Sequence, residues 1–352
     1  MNFCMLSRHF DHLSLRRWFL EYKRDLPWRN RMDPYAIWVS EVMLQQTQVS
    51  VVIPYFERWM TLFPTIGALA EASLDRVIKA WEGLGYYSRA RHLHEAAQFV
   101  LLHWNGQLPE QEEELKKIKG LGPYTRGAIL SFAFHQKSAA VDGNVMRVLT
   151  RYFNLSDDVS KPKTVQMLRQ LVLSILPDEG HWVINEALIE LGATVCKKKA
   201  ECQKCPLQSS CLAYRHGTVA ERPVKSSKIQ VIKLFRAVPI IQYEKKLLVK
   251  RGEKGKIMGD LYEFPYFEVN KEGIQIQEFK DKIYGSLKLS VKHQASIKMI
   301  THGFTKYHVT LFPEVFQSLV EPKVEGYEWL EIVELKKLAF SSGHRKILNL
   351  IT

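Results

Sequence analysis

Two carboxylates in different sequence surroundings could act in acid and base chemistry. Glu41 lies in "YAIWVSEVMLQQTQV", residues 35–49, among apolar residues at helical spacing. A carboxyl in such surroundings loses hydration, which raises its pKa and lets it donate a proton. Asp142 lies in "AAVDGNVMRVL", residues 139–149, where the amides of a starting helix would keep a carboxylate ionised. A protonated Glu and an ionised Asp suit cleavage of a glycosidic bond. The plain alternatives are a solvated helix glutamate and a helix-capping aspartate.

Gln45 and Gln46 stand where a helical pattern calls for apolar side chains. If the buried stripe runs through Val42, Val49 and Phe56, the position one turn after Val42 should be apolar. Amides at that position indicate a polar contact. A wet helix face is the alternative.

The stretch "GLGPYTRGAI", residues 120–129, predicts an anion site. Gly120 and Gly122 let the backbone approach a ligand, and the helix that follows offers free amides and a partial positive charge. DNA phosphate is the anion that we expect there. A plain corner between two helices is the alternative.

Four of the five cysteines fall within sixteen residues, in the pattern C-x5-C-x2-C-x5-C, and these are Cys196, Cys202, Cys205 and Cys211. Four close thiolates suit an iron–sulfur cluster or a structural zinc ion. Zinc sites usually show two C-x2-C pairs, and this stretch has one, so a [4Fe–4S] cluster is favoured over zinc.

The whole chain has the composition of a globular protein with a polyanionic partner. It has 352 residues and a formal charge of +13, which favours nucleic acid as the partner. An anionic membrane surface and a charge that serves solubility alone are the alternatives. No apolar run approaches the roughly 20 residues that span a bilayer. The start, "MNFCMLSRHFDHLSLRRWF", lacks the unbroken apolar core of a signal peptide. We therefore expect a cytoplasmic protein without a membrane partner.

The elements that position these residues fall into two regions. From residue 13 to about 196, apolar residues recur at steps of three and four, and prolines punctuate the pattern, which predicts helices. Residues 215–228 are polar and basic with Gly, Pro and Ser, and indicate a linker. Beyond it, β-branched and aromatic runs predict a smaller α+β domain, with a hairpin around residues 244–246.

Together these motifs resemble the MutY family of adenine DNA glycosylases, within the helix-hairpin-helix superfamily that also contains endonuclease III. The resemblance runs from "LPWR" at 26–29 through "SEVMLQQTQV", "GLGYYSRARHLHEAA" at 83–97, "GLGPYTRGAI" and "DGNVMRVL" to "NEALIELGATVC" and the cysteines. It implies a six-helix barrel with an iron–sulfur cluster lobe over residues 1–214. It also implies removal of adenine mispaired with 8-oxoguanine or guanine in double-stranded DNA, by flipping the adenine out of the duplex.

The resemblance assigns a role to each motif residue. Glu41 matches the general acid, Asp142 the carboxylate that supports the oxocarbenium centre, and Tyr124 and Asn144 match residues that assist. Gln46 matches an amide inserted beside 8-oxoguanine, with Gln45 next to it. The residues that match the adenine pocket are Trp28, Arg29 and Glu186.

Residues 229–352 resemble the MutT-like (Nudix) domain with which such enzymes recognise 8-oxoguanine. "MGDLYEFP", 258–265, matches the family's G-x-W-E-F-P, with Tyr262 for Trp. The glutamate-rich hydrolase signature is absent, so we expect binding without hydrolysis. The family's Phe-Ser-His loop appears as Phe304-Thr305-Lys306. A further departure is the first cysteine spacing, five residues where the family usually has six.

The sequence also bears on the reaction type. Endonuclease III-like lyases place a Schiff-base lysine where this chain has Tyr124, so we expect a monofunctional glycosylase. Separately, we expect the protein to be a monomer. An endonuclease III-like glycosylase with lyase activity and a non-catalytic iron–sulfur module that binds DNA are the rival interpretations.

Overall fold

The computed structural model describes residues 10–29, 31, 33–226, 230–253, 258–304 and 306–352. Their contacts group them into two units. The described residues of 1–70 and 95–228 form the first unit, and residues 71–94 with the described residues of 229–352 form the second. Cys4, Thr305 and the end of the predicted linker at 227–228 lie outside the described residues.

The predicted helical half of the chain is confirmed. Its helices are α1 His12–Tyr22, α2 Pro34–Leu44, α3 Val49–Leu62, α4 Ile66–Ala70, α5 Leu74–Ala80, α6 Ser88–Trp104, α7 Glu112–Lys117, α8 Pro123–Phe132, α9 Gly143–Tyr152, α10 Pro162–Ile175, α11 His181–Thr194 and α12 Leu212–Arg215. Proline opens α2, α8 and α10 because its fixed φ suits the first helical position, where an N–H has no partner to lose. Single 3-10 turns follow at Cys202–Lys204, Gln208–Ser210 and Val219–Glu221.

A buried core in the first unit joins α1, α9, α10 and α11. Leu15, Val148, Leu171 and Leu188 are among its fully buried members. Cys196, Cys205 and Cys211 pack against this core. The cysteine loop is therefore attached to the same packed helices that position Asp142, the residue before α9.

The second unit contains a mixed sheet, as the change of sequence pattern predicts. Its elements are β1 Ile232–Tyr243, β2 Lys246–Arg251, β3 Tyr262–Glu263, β4 Phe267–Glu268, α13 Ile276–Leu287, β5 Val291–Ser296, β6 Ile300–Phe304, β7 Tyr307–Ser318, β8 Glu328–Glu331, α14 Ile332–Lys337 and α15 Ser342–Ile351. Strands β1 and β7 pair in parallel at the centre, and the other pairings are antiparallel. Tyr243 pairs with Lys246, which confirms the predicted hairpin.

The sheet of the second unit is covered on both faces. Val238 and Ile240 of β1 enter one core with α15, whereas Ala237 and Ile241 enter another with α13. Successive residues of a strand point to opposite faces, so one strand supplies both cores. A helix–sheet–helix arrangement results.

Residues 71–94 join the second unit through ion pairs with its C-terminal part. The carboxylate of Glu82 accepts hydrogen bonds from Arg345 Nε at 2.7 Å and from the Phe340 N–H at 2.9 Å. Arg91 Nη1 lies 2.9 Å from Asp260 Oδ2. No sequence pattern indicates this grouping, because the partners lie more than 160 residues apart.

The part of the chain that the structure describes has no helix both long and apolar enough to cross a membrane.

Candidate active site

The first unit contains a cavity of about 750 Å³, called the central pocket below. Residues from distant parts of the sequence meet in its wall. Every residue assigned from the sequence to catalysis or to adenine lies there, together with both glutamines: Trp28, Arg29, Glu41, Gln45, Gln46, Tyr124, Asp142, Asn144 and Glu186. The structure thus brings these residues together in one pocket, and their roles remain predictions.

Glu41 lies on α2 with 7% of its surface exposed. The Tyr124 hydroxyl donates a hydrogen bond to its Oε2 at 2.5 Å. Burial raises the pKa of Glu41 to about 7, and the charges of Asp142 and Glu186 also raise it, while the Tyr124 hydrogen bond and the Arg29 charge lower it. The prediction of a poorly solvated carboxyl is confirmed. Near neutral pH this group is protonated about half of the time.

Asp142 caps α9 and also faces the central pocket. Its Oδ1 accepts from the Val145 N–H at 2.8 Å, and its Oδ2 accepts from Asn144 Nδ2 at 2.8 Å. We expected the amides to keep this carboxylate ionised, and that stays a prediction. Burial raises the pKa of Asp142, although the hydrogen bonds from Val145 and Asn144 oppose the rise. The reason is that the pocket removes more hydration than two donors replace.

Asn144 is held in place by α11 and by an arginine. Arg147 Nη2 donates to Asn144 Oδ1 at 2.7 Å and to the Gly192 carbonyl at 2.9 Å. A Cβ on Gly192 would lie 2.5 Å from the Asn144 Cβ, so only glycine allows α11 to approach α9 this closely. The same Arg147 donates through Nε to the Cys196 carbonyl at 2.8 Å. The pocket wall and the cysteine loop thus share one arginine.

The glycine turn before α8 has one residue in the left-handed region. Gly120 has φ +95°, whereas Gly122 has an ordinary φ of −66°, so only Gly120 requires glycine for its backbone. A Cβ on Gly122 would meet open space, and α8 begins at Pro123 without a side-chain cap among the described residues. The Tyr124 hydroxyl is bonded to Glu41, so Tyr124 can serve an anion only through its backbone N–H.

Gln45 and Gln46 occupy a turn, not a helix face. Helix α2 ends at Leu44 and α3 begins at Val49, so the continuous helix assumed from the apolar stripe is wrong. Gln45 Nε2 lies 3.4 Å from Thr125 Oγ1. Gln46 is exposed and has φ +59°, which is uncommon for a residue with a side chain. Neither Gly nor Pro marks this turn, and the sequence therefore contains no signal for it.

Trp28, Arg29 and Glu186 form another part of the pocket wall. The Trp28 ring meets Phe56 edge-on at 5.4 Å, and Arg29 Nε donates to Glu186 Oε2 at 3.0 Å. Arg24 and Glu190, which the sequence motifs did not single out, extend this ion pair within the same pocket. The sequence did offer one signal for Glu190: it follows Glu186 by four residues, so the two glutamates lie on the same face of a helix. His135 and Trp182, stacked at 4.1 Å, were also missed.

All four clustered cysteines line a second, smaller cavity, together with Arg151. None of them is in a disulfide. Burial raises the pKa of Cys205 to about 12 and also raises the pKa of Cys202 and of Cys211. Within the described ranges, no group of three or more His, Cys, Asp or Glu side chains is arranged to hold a metal ion. The four cysteines thus border one small cavity without forming such a group.

The predicted recognition loop of the second unit lies between β6 and β7, where Phe304 pairs with Tyr307. Phe304 stacks on His302 at 5.8 Å, and Lys306 is exposed with its Nζ 5.6 Å from the Tyr307 ring. Thr305 is outside the described residues. Tyr262, the replacement for the family's Trp, is half-buried, and its N–H donates to the Ala339 carbonyl at 2.8 Å.

Comparisons with known proteins find family matches in two stretches of the chain. Residues 39–173 match the family described as "HhH-GPD superfamily base excision DNA repair protein", and residues 237–350 match "NUDIX domain". A protein named adenine DNA glycosylase from Rattus norvegicus is 44% identical, over 96% of this chain and 77% of its own length. Another with that name, from Buchnera aphidicola subsp. Baizongia pistaciae, is 35% identical over 72% of this chain and 73% of its own.

Solved structures support the helical fold. A thermostable thymine-DNA glycosylase is 25% identical, with a TM-score of 0.53 over 58% of this chain and 94% of its own. A trapped endonuclease III–DNA covalent intermediate has a TM-score of 0.52 over 62% of this chain and 99% of its own, and at 22% identity it shows the fold alone.

Removing the Tyr124 hydroxyl tests the electrostatics of the pocket. In Tyr124→Phe we expect the pKa of Glu41 to rise above its value of about 7, because the lost hydrogen bond favoured the carboxylate. Carbon NMR titration of glutamate side-chain carboxyls, with the Glu41 signal assigned by its loss in Glu41→Gln, measures this. An unchanged or lower pKa would contradict the described hydrogen bond.

Proposed function

The chain belongs to the adenine DNA glycosylase family of base excision repair enzymes, and we propose that it removes adenine paired with 8-oxoguanine or guanine by acid-catalysed hydrolysis of the N-glycosidic bond. The observation that carries this proposal is the meeting of a buried Glu41, bonded to Tyr124, with Asp142 in one pocket. In this proposal residues 1–214 form the catalytic region, 215–228 a linker and 229–352 the recognition domain.

Adenine would enter the central pocket after it has been flipped out of the duplex. An adenine buried in a stack cannot reach a side chain, so the enzyme must extrude it. Trp28 offers an apolar wall, while Glu186 can accept a hydrogen bond from the exocyclic amine of adenine. Arg29 holds the Glu186 carboxylate in place at 3.0 Å. A base without an amine at that position would give Glu186 no hydrogen bond beyond the one from Arg29, which disfavours that base.

Glu41 would donate its proton to N7 of adenine. Protonation makes adenine a neutral leaving group, so the N-glycosidic bond can break with its electron pair moving to the base. A pKa of about 7 allows Glu41 to keep a proton near neutral pH and still release it. An ordinary solvated glutamate, with a pKa of 4.5, would be ionised about 300 times more often than protonated at pH 7.

Asp142 would support the positively charged sugar that remains. Its carboxylate lines the same pocket, and Asn144 orients it through a hydrogen bond at 2.8 Å. Burial raises the pKa of Asp142, and a developing oxocarbenium charge would favour its ionised form. Water then adds to the sugar carbon, releases a proton to solvent and leaves an apurinic site.

The DNA backbone would be bound at the start of α8. Gly122 lies next to open space, and the first amides of α8 lack a side-chain cap in the described structure, which suits a phosphate oxygen. Gly120 shapes the turn through its positive φ. Tyr124 stands where a lyase would need a lysine amine, so this part of the proposal includes a monofunctional reaction without Schiff-base chemistry.

Recognition of the base opposite adenine is assigned to two regions. The exposed Gln46, with Gln45 beside it, would insert next to 8-oxoguanine. In the second unit Phe304, Thr305 and Lys306 would probe the oxidised base, with Lys306 supplying a fixed cation instead of the family's histidine. The absence of the hydrolase signature from the sequence fits a domain that binds without hydrolysis.

The four clustered cysteines are proposed to hold a [4Fe–4S] cluster. Buried thiols with raised pKa values remain protonated unless a metal displaces the protons. The thiolate forms of these cysteines therefore need a bound cation. Four sulfurs around a space suit a cluster better than one zinc ion, which would draw them together at Zn–S distances of about 2.3 Å. When bound, the cluster would cross-link residues 196–211.

Replacing the proposed acid separates chemistry from binding. In Glu41→Gln we expect adenine excision from an A:8-oxoguanine duplex to fall at least about 10³-fold, because no proton reaches the base. DNA affinity should stay within about threefold. Single-turnover excision and fluorescence anisotropy measure the two quantities.

The matched control is Glu113→Gln, which alters an exposed glutamate of α7 paired with Lys116. It should behave as the wild type does in both assays. Excision by Glu41→Gln near the wild-type rate would remove Glu41 from the role of acid.

The cofactor proposal has its own test. The purified protein should absorb near ~400 nm and contain about four iron and four sulfide ions per chain. Iron and sulfide analysis with metal emission spectroscopy measures this. One zinc ion per chain without sulfide would show that the cysteines form a structural zinc site instead.

A further inference from the structure

Four charged side chains form a line along one side of the central pocket: Arg24, Glu190, Arg29 and Glu186. Arg24 contacts Glu190 through Nε at 2.6 Å and Nη2 at 2.9 Å. Arg29 contacts Glu190 through Nη2 at 2.9 Å and Glu186 through Nε at 3.0 Å. Positive and negative groups therefore alternate, and Arg29 lies between two glutamates that are one turn apart on α11.

Glu190 is the most deeply buried member of this line, with 1% of its side chain exposed. Its carboxylate also accepts from the Arg24 backbone N–H at 3.2 Å, so four donors satisfy it. Burial alone would raise the pKa of Glu190, but the hydrogen bonds and charges of Arg24 and Arg29 outweigh burial and lower it. Glu190 is therefore ionised at neutral pH, whereas burial raises the pKa of Glu186.

Arg29 is fixed at all three of its side-chain nitrogens. Besides its two glutamate partners, its Nη1 donates to the Arg24 carbonyl at 2.8 Å. The guanidinium also lies over the Phe19 ring at 5.3 Å. A planar fork held in this way cannot rotate without breaking a contact.

This restraint matters because Glu41 lines the same pocket. Around Glu41 stand Tyr124, Asp142, Glu186 and Arg29, with Arg24, Arg31, His135 and Glu190 in the remaining pocket wall. Arg29 is the cation whose charge already acts on Glu41, and it makes no hydrogen bond to Glu41 in the described structure. A guanidinium paired with Glu41 would favour the carboxylate form of Glu41, which lacks the proton that the reaction needs.

We propose that Glu190 is a positioning residue that holds Arg29 against Glu186 and away from Glu41, so that the proton donor keeps its proton. The inference rests on the proposed role of Glu41 as the acid. Glu190 acts through Arg29 and need not touch the substrate. Its anchor on the other side is Arg24, which is 36% exposed and binds no other carboxylate among the described residues.

The pH dependence of single-turnover excision tests this proposal. In the wild type, the rate should fall tenfold per unit as the pH rises above the pKa of Glu41. In Glu190→Gln, Arg29 has lost one partner and should pair with Glu41. The excision rate should then begin to fall at a pH at least about one unit lower than in the wild type. At pH 8 the rate should then be at least about tenfold below the wild type, with DNA affinity within about threefold.

Two further variants distinguish positioning from a purely structural role. In Glu190→Gln/Arg29→Gln, the guanidinium of Arg29 is no longer present to pair with Glu41. The pH at which the rate begins to fall should therefore return toward the wild-type value, even if the rate itself is lower. Arg24→Gln changes the exposed end of the line of four charged side chains. It should shift the pH at which the rate falls in the same direction as Glu190→Gln, by a smaller amount. Glu113→Gln should shift nothing.

A wild-type pH profile in Glu190→Gln, with only a lower amplitude, would overturn the proposal. If that variant does not fold, an unshifted profile in Arg24→Gln would overturn it. These outcomes differ from failure of the proposed function. That failure would appear as excision by Glu41→Gln and as a wild-type rate that does not fall with rising pH.

Discussion

The chemistry that we propose for this protein depends on keeping water away from one carboxyl group, that of Glu41. A shift of the Glu41 pKa from 4.5 to about 7 corresponds to about 3 kcal/mol of preference for the protonated form. Packing against α2 supplies this preference, because most residues of that helix are buried. The Tyr124 hydrogen bond acts in the opposite direction and keeps the proton transferable. Burial thus raises the pKa of Glu41, while the Tyr124 hydroxyl and the Arg29 guanidinium lower it.

The same helices that bury Glu41 bring the other groups to it. Tyr124 is the second residue of α8, Asp142 is the cap of α9, and Glu186 and Glu190 lie on α11. Each side chain is therefore placed by a helix end or a helix face, which is more rigid than a free loop. Arg147 links the pocket to the cysteine loop through Asn144 and the Cys196 carbonyl.

Much of this site was predictable from local sequence. The apolar residues around Glu41 predicted its burial, and the Asp-Gly-Asn break before a helical run predicted the cap at Asp142. Features that depend on distant partners were not predictable in this way. Arg24 and Glu190 are 166 residues apart, and no local pattern pairs them. The left-handed Gln46 ends a helix that apolar periodicity would continue, and the pKa of Asp142 depends on a pocket that several helices build together.

The central claim is that this pocket releases adenine and leaves the DNA strand intact. The most direct measurement incubates the wild-type protein with an end-labelled duplex containing one A:8-oxoguanine pair and analyses the products with and without hot alkali. We predict a break at the adenine only after alkali treatment, and free adenine in the supernatant. An intact strand after alkali, or a break without alkali at the same rate as base release, would contradict the account.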